Sequence, residues 1–306
     1  MKRIVVTGAT SMIGLALIEE SLKNGVEVLA VVRGNSARTG RLPVHPALKT
    51  VECSLERLSE LPDKIEGSCD TFYHIAWGST GENRNRSTEL QSRNISYTLE
   101  AVKAAKVLGC RRFIGAGSQA EYGPLCVPAI GPDTPGRPTT PYGASKLAAG
   151  QLAFMLCREL EMECIWPRIF SVYGIGEKET TMIASGLRKM LKGQPTEFTP
   201  AQQRWDYLYS RDAGRAYYLI GEKGRDGAIY CVGSGQAMPL KEYIQIMAEQ
   251  TGAKETGIGK RPYPAGAVMN LCADITSLTE DTGFVPEYTF EKGIGETISW
   301  IKQQES

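Results

Sequence analysis

The stretch Arg3-Ile4-Val5-Val6-Thr7-Gly8-Ala9-Thr10-Ser11-Met12-Ile13-Gly14 decides the fold of this chain. The run up to Thr7 is short, apolar and β-branched, which is typical of a buried strand, and a helical pattern begins directly after Ser11. Such a strand-to-helix turn brings unpaired backbone N–H groups and the positive end of a helix dipole to one point, where phosphate groups bind. The stretch therefore predicts the opening strand, loop and helix of a dinucleotide-binding Rossmann unit.

Small residues give this loop its expected role. Gly8 permits the tight turn, and Gly14 permits close packing of the helix on the strand. Ser11 stands where the usual pattern has its middle glycine, and its side chain is small enough to let a phosphate approach. The loop residues expected to contact the cofactor are Gly8, Thr10, Ser11, Met12, Ile13 and Gly14.

Short apolar runs alternate with helical patterns over the first half of the chain. The predicted strands cover residues 3–7, 27–32, 71–76, 112–116 and 163–169, and helices are predicted at 12–24, 85–108 and 142–160. Apolar strands separated by helices indicate a parallel sheet covered on both faces, so the fold class is a doubly wound α/β Rossmann sheet.

The pattern loosens after about residue 170. Gly/Pro-rich connections there separate a helix near 180–192, a strand near 206–209 and a helix near 240–251. We therefore predict an NAD(P)-binding Rossmann domain in residues 1–170 and a smaller C-terminal α/β substrate lobe in residues 171–306, interleaved with the sheet.

Composition excludes several classes of function. With 35 Lys and Arg against 34 Asp and Glu, scattered along the chain, the formal net charge is +1. This is not the basic footprint of a protein that binds nucleic acid or an anionic membrane. The apolar start is too short for a signal peptide, and no window of about 18 apolar residues spans a membrane. A small-molecule partner is expected.

The cysteines and histidines indicate no metal site. None of the eight cysteines has a partner two residues away, so they are expected to be reduced thiols in a cytoplasmic protein. His45 and His74 are too few to bind a metal, and His74 is expected to have a structural role at a strand end.

The end of the second strand selects the dinucleotide. It reads Arg33-Gly34-Asn35-Ser36, without an acid to bond a ribose 2′-hydroxyl. An arginine there accommodates a 2′-phosphate, so NADP(H) is favoured over NAD(H).

A tyrosine and a lysine are the predicted acid–base pair, and a serine ends the strand before them. Tyr142 and Lys146 are four residues apart, hence on one face of a helix that opens after a Gly/Pro-rich loop, and Ser118 closes the strand before that loop. A lysine ammonium beside a phenol, with an oxidised nicotinamide nearby, lowers the phenol pKa toward working pH, where it can transfer a proton.

These motifs, in this order, resemble the NAD-dependent epimerase/dehydratase family, the extended short-chain dehydrogenases that act on nucleotide sugars. The segments that agree are 70–76, Asn94, 168–174, 203–207 and 227–235, with a C-terminal match at 274–300. The resemblance implies a nucleotide-sugar substrate and a catalytic Ser118, Tyr142 and Lys146. Beyond the glycine loop, the expected cofactor contacts are Arg33, Asn35, Ser54, Leu55, Ala76, Trp77, Asn94, Tyr142, Lys146 and Ile169.

The sugar pocket is expected where the fourth and fifth strands end, because open α/β sheets bind ligands there. The expected substrate contacts are Gly78, Ser79, Gln119, Glu121, Tyr122, Ser171, Arg204 and Arg261. Arg204 corresponds to the family's nucleotide-binding arginine. Ser171 replaces an asparagine of the family, and Pro264 stands where a diphosphate-binding arginine is expected, so Arg261 is the predicted substitute.

The residues after Ser118 separate the possible reactions. Family dehydratases place a glutamate directly after this serine, whereas this chain has Gln119 and Ala120, so net dehydration is disfavoured. The prediction is a 4-ketoreductase that reduces a 4-keto-6-deoxyhexose with NADPH and uses Tyr142 as proton donor. A 4-epimerase with tightly bound NAD is the alternative. A reductase of small carbonyls and a non-catalytic NADP(H) sensor are also considered. The family resemblance further implies a homodimer that pairs the helices at 85–108 and 142–160.

Overall fold

The computed structural model describes residues 1–264 and 266–305. Its strands are β1 (Arg3–Thr7), β2 (Glu27–Val32), β3 (Leu48–Glu52), β4 (Thr71–His74), β5 (Arg112–Ile114), β6 (Gly117–Ser118), β7 (Glu163–Ile169), β8 (Ser171–Tyr173), β9 (Arg204–Trp205), β10 (Tyr207–Tyr209), β11 (Ile229–Val232), β12 (Met238–Pro239) and β13 (Asn270–Leu271). Its α-helices are α1 (Met12–Lys23), α2 (Thr88–Val107), α3 (Pro141–Glu159), α4 (Met182–Leu191), α5 (Ser210–Lys223), α6 (Leu240–Thr251), α7 (Thr276–Thr282) and α8 (Phe290–Glu305).

The large sheet is parallel and has the strand order β3-β2-β1-β4-β5-β7-β11, with β6 beside β7. Alternate residues of its strands face opposite layers of helices. Val5 and Phe72 pack in the core beneath α2 and α3, whereas Val6 and Tyr73 pack in the core beneath α1 and α5. Helices on both faces of a parallel sheet confirm the predicted Rossmann-type α/β fold.

Helices α1 and α5 pack closely because of one glycine. A Cβ atom built on Gly214 of α5 would overlap the backbone of Ala16 in α1. Both α5 and β11 come from beyond residue 170, yet they belong to the layers around the large sheet. The chain therefore crosses between the two parts more than once, and the boundary near residue 170 stays a prediction.

The rest of the C-terminal part has its own core around small sheets. β8 pairs with β10, and β9 lies between β12 and β13. An aromatic cluster joins β8, β10, α6 and α8, in which the Phe290 ring centroid lies 4.8 Å from that of Tyr173 and 4.5 Å from that of Tyr243. This core supports β8 and β9, whose side chains reach the site.

Three findings bear on the excluded functions. Within the described part of the chain, no helix is long and apolar enough to cross a membrane. Among the same residues, no group of three His, Cys, Asp or Glu side chains is arranged to hold a metal ion. The eight cysteines are free thiols, of which Cys126 is the exposed one.

Candidate active site

The glycine loop between β1 and α1 has the shape that a pyrophosphate needs. Gly8 has a φ of +70°, and a Cβ there would lie 2.6 Å from the backbone nitrogen of Ala76. A Cβ on Gly14 would overlap the Gly8 carbonyl oxygen. Ser11 is the N-cap of α1, since its Oγ accepts a hydrogen bond of 3.1 Å from the Gly14 N–H. These residues fit a dinucleotide, whose phosphates would meet the first-turn N–H groups of α1.

An acid that the sequence pattern did not reveal lies at the end of β2. Glu52 ends β3 in register with Val32, and its Oε1 lies so near Gly34 that a Cβ there would overlap it. Arg33 and Asn35 flank Gly34 and are exposed. Residues 33–36 contain no acid, but the neighbouring strand brings the Glu52 carboxylate to the same place.

The next predicted cofactor residues, Ser54 and Leu55, begin a short 3-10 turn beside that corner. The pKa of Glu56 in this turn is lowered by a backbone hydrogen bond, by the Ser54 hydroxyl and, more weakly, by the charge of Arg33. Arg33 therefore shares its surroundings with two carboxylates, those of Glu52 and Glu56.

Polar side chains of β1 and β4 hold the segment after β4 in place through hydrogen bonds. The Ala76 N–H donates to Thr7 Oγ1 at 3.3 Å, and the same oxygen lies 3.0 Å from His74 Nδ1. Burial, with a smaller effect of the Lys146 charge, lowers the pKa of His74 to about 3, so this imidazole stays neutral. His74 has the structural role that its position indicated.

Asn94 acts on this segment through the backbone. Its Oδ1 accepts from the Gly78 N–H at 2.6 Å, and its Nδ2 lies within hydrogen-bonding distance of the Gly78, Leu90 and Gln91 carbonyl oxygens. The side chain is 1% exposed. The prediction that Asn94 contacts the cofactor is corrected, because its polar atoms are buried and used to position Gly78.

Trp77 contacts two residues of the predicted catalytic centre. Its Nε1 donates to Gln91 Oε1 at 2.8 Å, which fixes the indole, and Gln91 in turn donates to the Ser79 carbonyl oxygen at 2.8 Å. The ring centroid lies 3.7 Å from Lys146 Nζ and 6.2 Å from the Tyr142 ring centroid. Trp77, Gly78 and Ser79 thus form one wall beside the predicted catalytic residues.

Helix α3 and strand β6 bring the three predicted catalytic residues together. Thr140 is its N-cap, accepting from the Gly143 N–H at 3.1 Å, and Pro141 begins the first turn. Tyr142 therefore lies in the first turn and Lys146 one turn later, while Ser118 ends β6 in register with Ile169 of β7. The Ser118 side chain lies close enough to Tyr142 to act on the phenol.

The acid–base groups of this centre are strongly perturbed. Burial raises the pKa of Tyr142, opposed by its hydrogen bond with Ser118 and by the charge of Arg84. Burial lowers the pKa of Lys146 to about 7, and its Nζ donates to the Ala116 carbonyl oxygen at 2.5 Å. The charge that favours the tyrosinate here is that of Arg84, where the sequence had led us to expect Lys146.

Two predicted substrate residues lie beneath the site. Glu121 is fully buried, accepts from the Ser118 N–H at 2.8 Å and pairs with Arg168 Nε at 2.7 Å. Tyr122 is also fully buried, with its hydroxyl 3.3 Å from Cys231 Sγ. Both predictions are corrected, because these side chains are packed and paired inside the protein. Gln119 is half-buried on the same turn.

Strand alternation places Arg204 and Trp205 on opposite sides of β9. The guanidinium of Arg204 donates to the Ala237 carbonyl oxygen on the exposed side. Trp205 takes the opposite side, where its Nε1 donates to Ser171 Oγ at 2.8 Å. Trp205 therefore faces the predicted substrate residue Ser171, and Arg204 does not.

Arg261 lies at a cavity in the C-terminal part. Its Nε is 3.6 Å from Glu197 Oε2, and both side chains are largely exposed. They border a cavity of about 350 Å³ that Lys189 and Gln203 also line. A cavity with two cations at its edge suits a phosphorylated ligand.

Two further cations, one at Tyr142 and one at Thr80, were not predicted. The guanidinium carbon of Arg84 lies 5.1 Å from the Tyr142 ring centroid, and Lys178 Nζ donates to the Thr80 carbonyl oxygen at 2.7 Å. No local pattern marks these residues, because each comes from a loop whose path the sequence does not determine.

Comparison with known proteins agrees with this geometry. The model of the "NAD dependent epimerase/dehydratase family" matches residues 4–233. The chain is 24% identical to the CDP-abequose synthase of Salmonella muenchen over 97% of each chain. It is 25% identical to the UDP-glucose 4-epimerase of Corynebacterium glutamicum over 94% of this chain and 92% of that protein.

Solved structures show the same fold. The UDP-glucose 4-epimerase of Thermotoga maritima has a TM-score of 0.89 at 22% identity, over 99% of this chain and all of that one. MoeE5, solved with UDP-glucuronic acid and NAD, has a TM-score of 0.84 at 25% identity over 99% of this chain and 100% of its own. Since the family model covers most of the chain, the protein is an enzyme that belongs to the NAD-dependent epimerase/dehydratase family.

Proposed function

We propose that this enzyme is a nucleotide-sugar 4-epimerase. The observation that carries the proposal is that Tyr142 lies beside Ser118 and a buried Lys146, in a centre whose nearest acid, Glu121, is paired with Arg168. Such a centre can move one proton at a carbinol oxygen. Dehydration needs a second acid–base group, and Glu121 does not supply one.

In the proposed reaction, each residue of this centre would have a separate role. The dinucleotide supplies a hydride acceptor and donor when it is bound. Tyr142 would take the proton from the sugar hydroxyl, and Ser118 would hold that hydroxyl against the phenol oxygen. Lys146 and Trp77 lie together beside Tyr142, and Lys146 would orient the nicotinamide ribose there. In an epimerase the same groups act in reverse once the keto sugar presents its other face.

The acid at the β2 corner favours NAD(H). The Glu52 carboxylate beside Gly34 can accept a hydrogen bond from a ribose 2′-hydroxyl, whereas it would repel a 2′-phosphate. An epimerase retains its dinucleotide through the cycle, so NAD at this corner is consistent with epimerisation.

The second candidate is the 4-ketoreductase that reduces a 4-keto-6-deoxyhexose with NADPH. It rests on Arg33, which is exposed at the same corner and offers a planar fork for a 2′-phosphate. In that reaction Tyr142 would donate its proton to the reduced oxygen.

The nucleotide sugar, the homodimer and the cytoplasmic location belong to the same proposal. The curated relatives carry names that refer to CDP-, dTDP- and UDP-sugars. The cavity beside Arg261 and Lys189 is suited to a nucleotide diphosphate. Eight free thiols fit a reducing compartment.

The test begins with the dinucleotide that the purified protein carries, released by denaturation and identified by chromatography. The protein is then incubated with UDP-, dTDP- and CDP-hexoses deuterated at C4. Epimerisation with deuterium retained in the sugar supports the proposal. Consumption of added NADPH with a 4-keto sugar, without epimerisation, would establish the ketoreductase. A protein that binds dinucleotide and turns over none of these substrates would be a sensor.

A further inference from the structure

Two cations from different loops lie close to one another, and one of them contacts the predicted catalytic tyrosine. Arg84, in the segment between β4 and α2, has its guanidinium carbon 5.1 Å from the Tyr142 ring centroid. Lys178, in the segment between β8 and α4, donates to both the carbonyl oxygen and the Oγ1 of Thr80, at 2.7 and 3.1 Å. The contact with Thr80 fixes the Lys178 ammonium beside the wall formed by Trp77, Gly78 and Ser79.

These cations act on one another. Burial is the largest cause of the lowered pKa of Lys178, and the charges of Arg84 and Arg38 lower it further. Arg38 comes from the loop after β2, so three chain segments bring positive charge to one place. Like charges in proximity cost free energy unless an anion lies among them.

Among the side chains that the structure describes, no carboxylate of the protein is that anion. Within that set, Arg38, Arg84 and Lys178 form no ion pair, whereas exposed cations elsewhere do, such as Arg57 with Glu60 and Arg93 with Glu89. The arrangement is that of a binding site for an anion brought by the ligand.

The position of Arg84 indicates which charged group of a nucleotide sugar it would bind, the diphosphate at C1 or a carboxylate at C6. Tyr142 must meet the oxygen on the reacting carbon, C4 in the proposed reaction. The diphosphate is attached at C1, on the opposite side of the sugar ring, whereas the C6 substituent is two bonds from C4. A cation in contact with the Tyr142 ring is therefore nearer to a group at C6 than to the diphosphate.

We propose that Arg84 and Lys178 bind a carboxylate at C6 of the sugar, so that the preferred substrates are nucleotide-activated uronic acids. This inference rests on the proposed function, since it takes C4 as the reacting carbon. The guanidinium can bind a carboxylate through two parallel hydrogen bonds, and a hydroxymethyl group in its place leaves both cations unpaired. The site therefore discriminates by charge at the reacting end of the substrate.

The test compares UDP-glucuronate with UDP-glucose, two substrates that differ in the C6 group alone. The ratio of their kcat/KM values should favour UDP-glucuronate in the unaltered enzyme. Arg84→Met and Lys178→Met should each lower that ratio roughly 10- to 100-fold, the usual effect of a hydrogen bond between charged groups. Arg84→Lys should keep part of it. Lys23→Met removes an equal charge at the far end of α1, where the side chain is 78% exposed, and should leave the ratio unchanged.

Calorimetric affinities for the same two compounds provide a readout without turnover. Tighter binding of UDP-glucuronate, lost in Arg84→Met, supports the carboxylate site even if neither compound is epimerised, which would count against the proposed function alone. Equal affinities in the unaltered enzyme overturn the inference. An equal loss for both compounds in Arg84→Met also overturns it, because the arginine would then bind the shared diphosphate.

Discussion

The ammonium nitrogen of Lys146 lies 3.7 Å from the centre of the Trp77 indole ring, and the residue is 4% exposed. The ammonium has two neutral partners, the Ala116 carbonyl oxygen that accepts its hydrogen bond and the face of the indole ring. A cation–π contact compensates part of the cost of burying a charge, but less than a carboxylate would. The pKa of Lys146 accordingly falls to about 7 because of burial.

This burial predicts a pH-dependent cost to stability. The unfolded lysine has a pKa near 10.5, so between about pH 7 and 10 folding releases a proton, and the free energy of unfolding rises with pH. Below about pH 7 the full cost remains, on the order of a few kcal/mol. In dinucleotide-free protein, Lys146→Met should be more stable than the unaltered chain at pH 6, and this advantage should shrink toward pH 10.

Urea denaturation at pH 6, 8 and 10 measures this difference. Lys103→Met on α2, whose side chain is 57% exposed, should leave the pH profile unchanged. Parallel pH profiles for Lys146→Met and the unaltered protein would contradict the lowered pKa.

Tyr142→Phe removes the one oxygen that transfers the proton and should lower the rate of the chemical step roughly 10²- to 10⁴-fold. Dinucleotide content should change little, because the ring and its packing against Trp77 remain. Single-turnover rates and released dinucleotide measure the two effects. Tyr122→Phe is the matched control, since its hydroxyl contacts Cys231 inside the protein. Retention of more than about a tenth of the rate by Tyr142→Phe would exclude its catalytic role.

The sequence was sufficient for the fold, and it also placed Tyr142 and Lys146 close together, because both results follow from local patterns. The glycine loop, the alternation of apolar strands with helices, and the four-residue spacing of Tyr142 and Lys146 depend on near neighbours alone. Arg204 and Trp205 differ in this respect. Which of the two faces the site depends on the pairing of β9 with β12 and β13, which is not a local property.

The remaining residues required the tertiary structure. Glu52 meets Gly34 because β3 pairs with β2, and Arg84 meets Tyr142 across two loops. Glu121 illustrates the opposite error, since a charged residue next to a catalytic serine suggests a pocket. Its burial is accompanied by pairing with Arg168, which is 47 residues away in β7, the strand beside β6.

Glu121→Gln should destabilise the protein by about 3–5 kcal/mol, because it leaves the Arg168 guanidinium buried without its counterion. The sugar specificity of the folded fraction should not change, since Glu121 faces the interior. Chemical denaturation and substrate ratios measure the two outcomes. Glu89→Gln removes an exposed ion pair on α2 and should cost less than about 1 kcal/mol. A stable Glu121→Gln protein with altered sugar preference would restore the predicted pocket role.

The charges at the ends of β2 and β3 predict whether the enzyme prefers NADH or NADPH. Glu52→Gln should weaken NADH and strengthen NADPH, because it removes a negative charge from the place of the 2′ group. Arg33→Ala should affect NADPH alone. Each change is expected to be one to two decades in affinity, as for hydrogen bonds to charged groups. Fluorescence titration of the two reduced dinucleotides with each variant measures it. An unaltered protein that prefers NADPH, with no effect of Glu52→Gln, would favour the ketoreductase.

The last prediction concerns the homodimer, and it rests on the outer face of α3. Leu152 and Met155 are one turn apart on this helix and are 40% and 57% exposed, although both are apolar. Burying such side chains against a second copy stabilises association, and an unpaired glutamate at the same place opposes it. Leu152→Glu and Met155→Glu should therefore each shift the protein from dimer to monomer at micromolar concentration in sedimentation velocity. Val285→Glu replaces an apolar residue that is 58% exposed beyond α7 and should leave the dimer intact. An unaltered protein that sediments as a monomer would contradict the predicted homodimer. Dissociation by Val285→Glu alone would indicate an interface in the C-terminal part and not on α3.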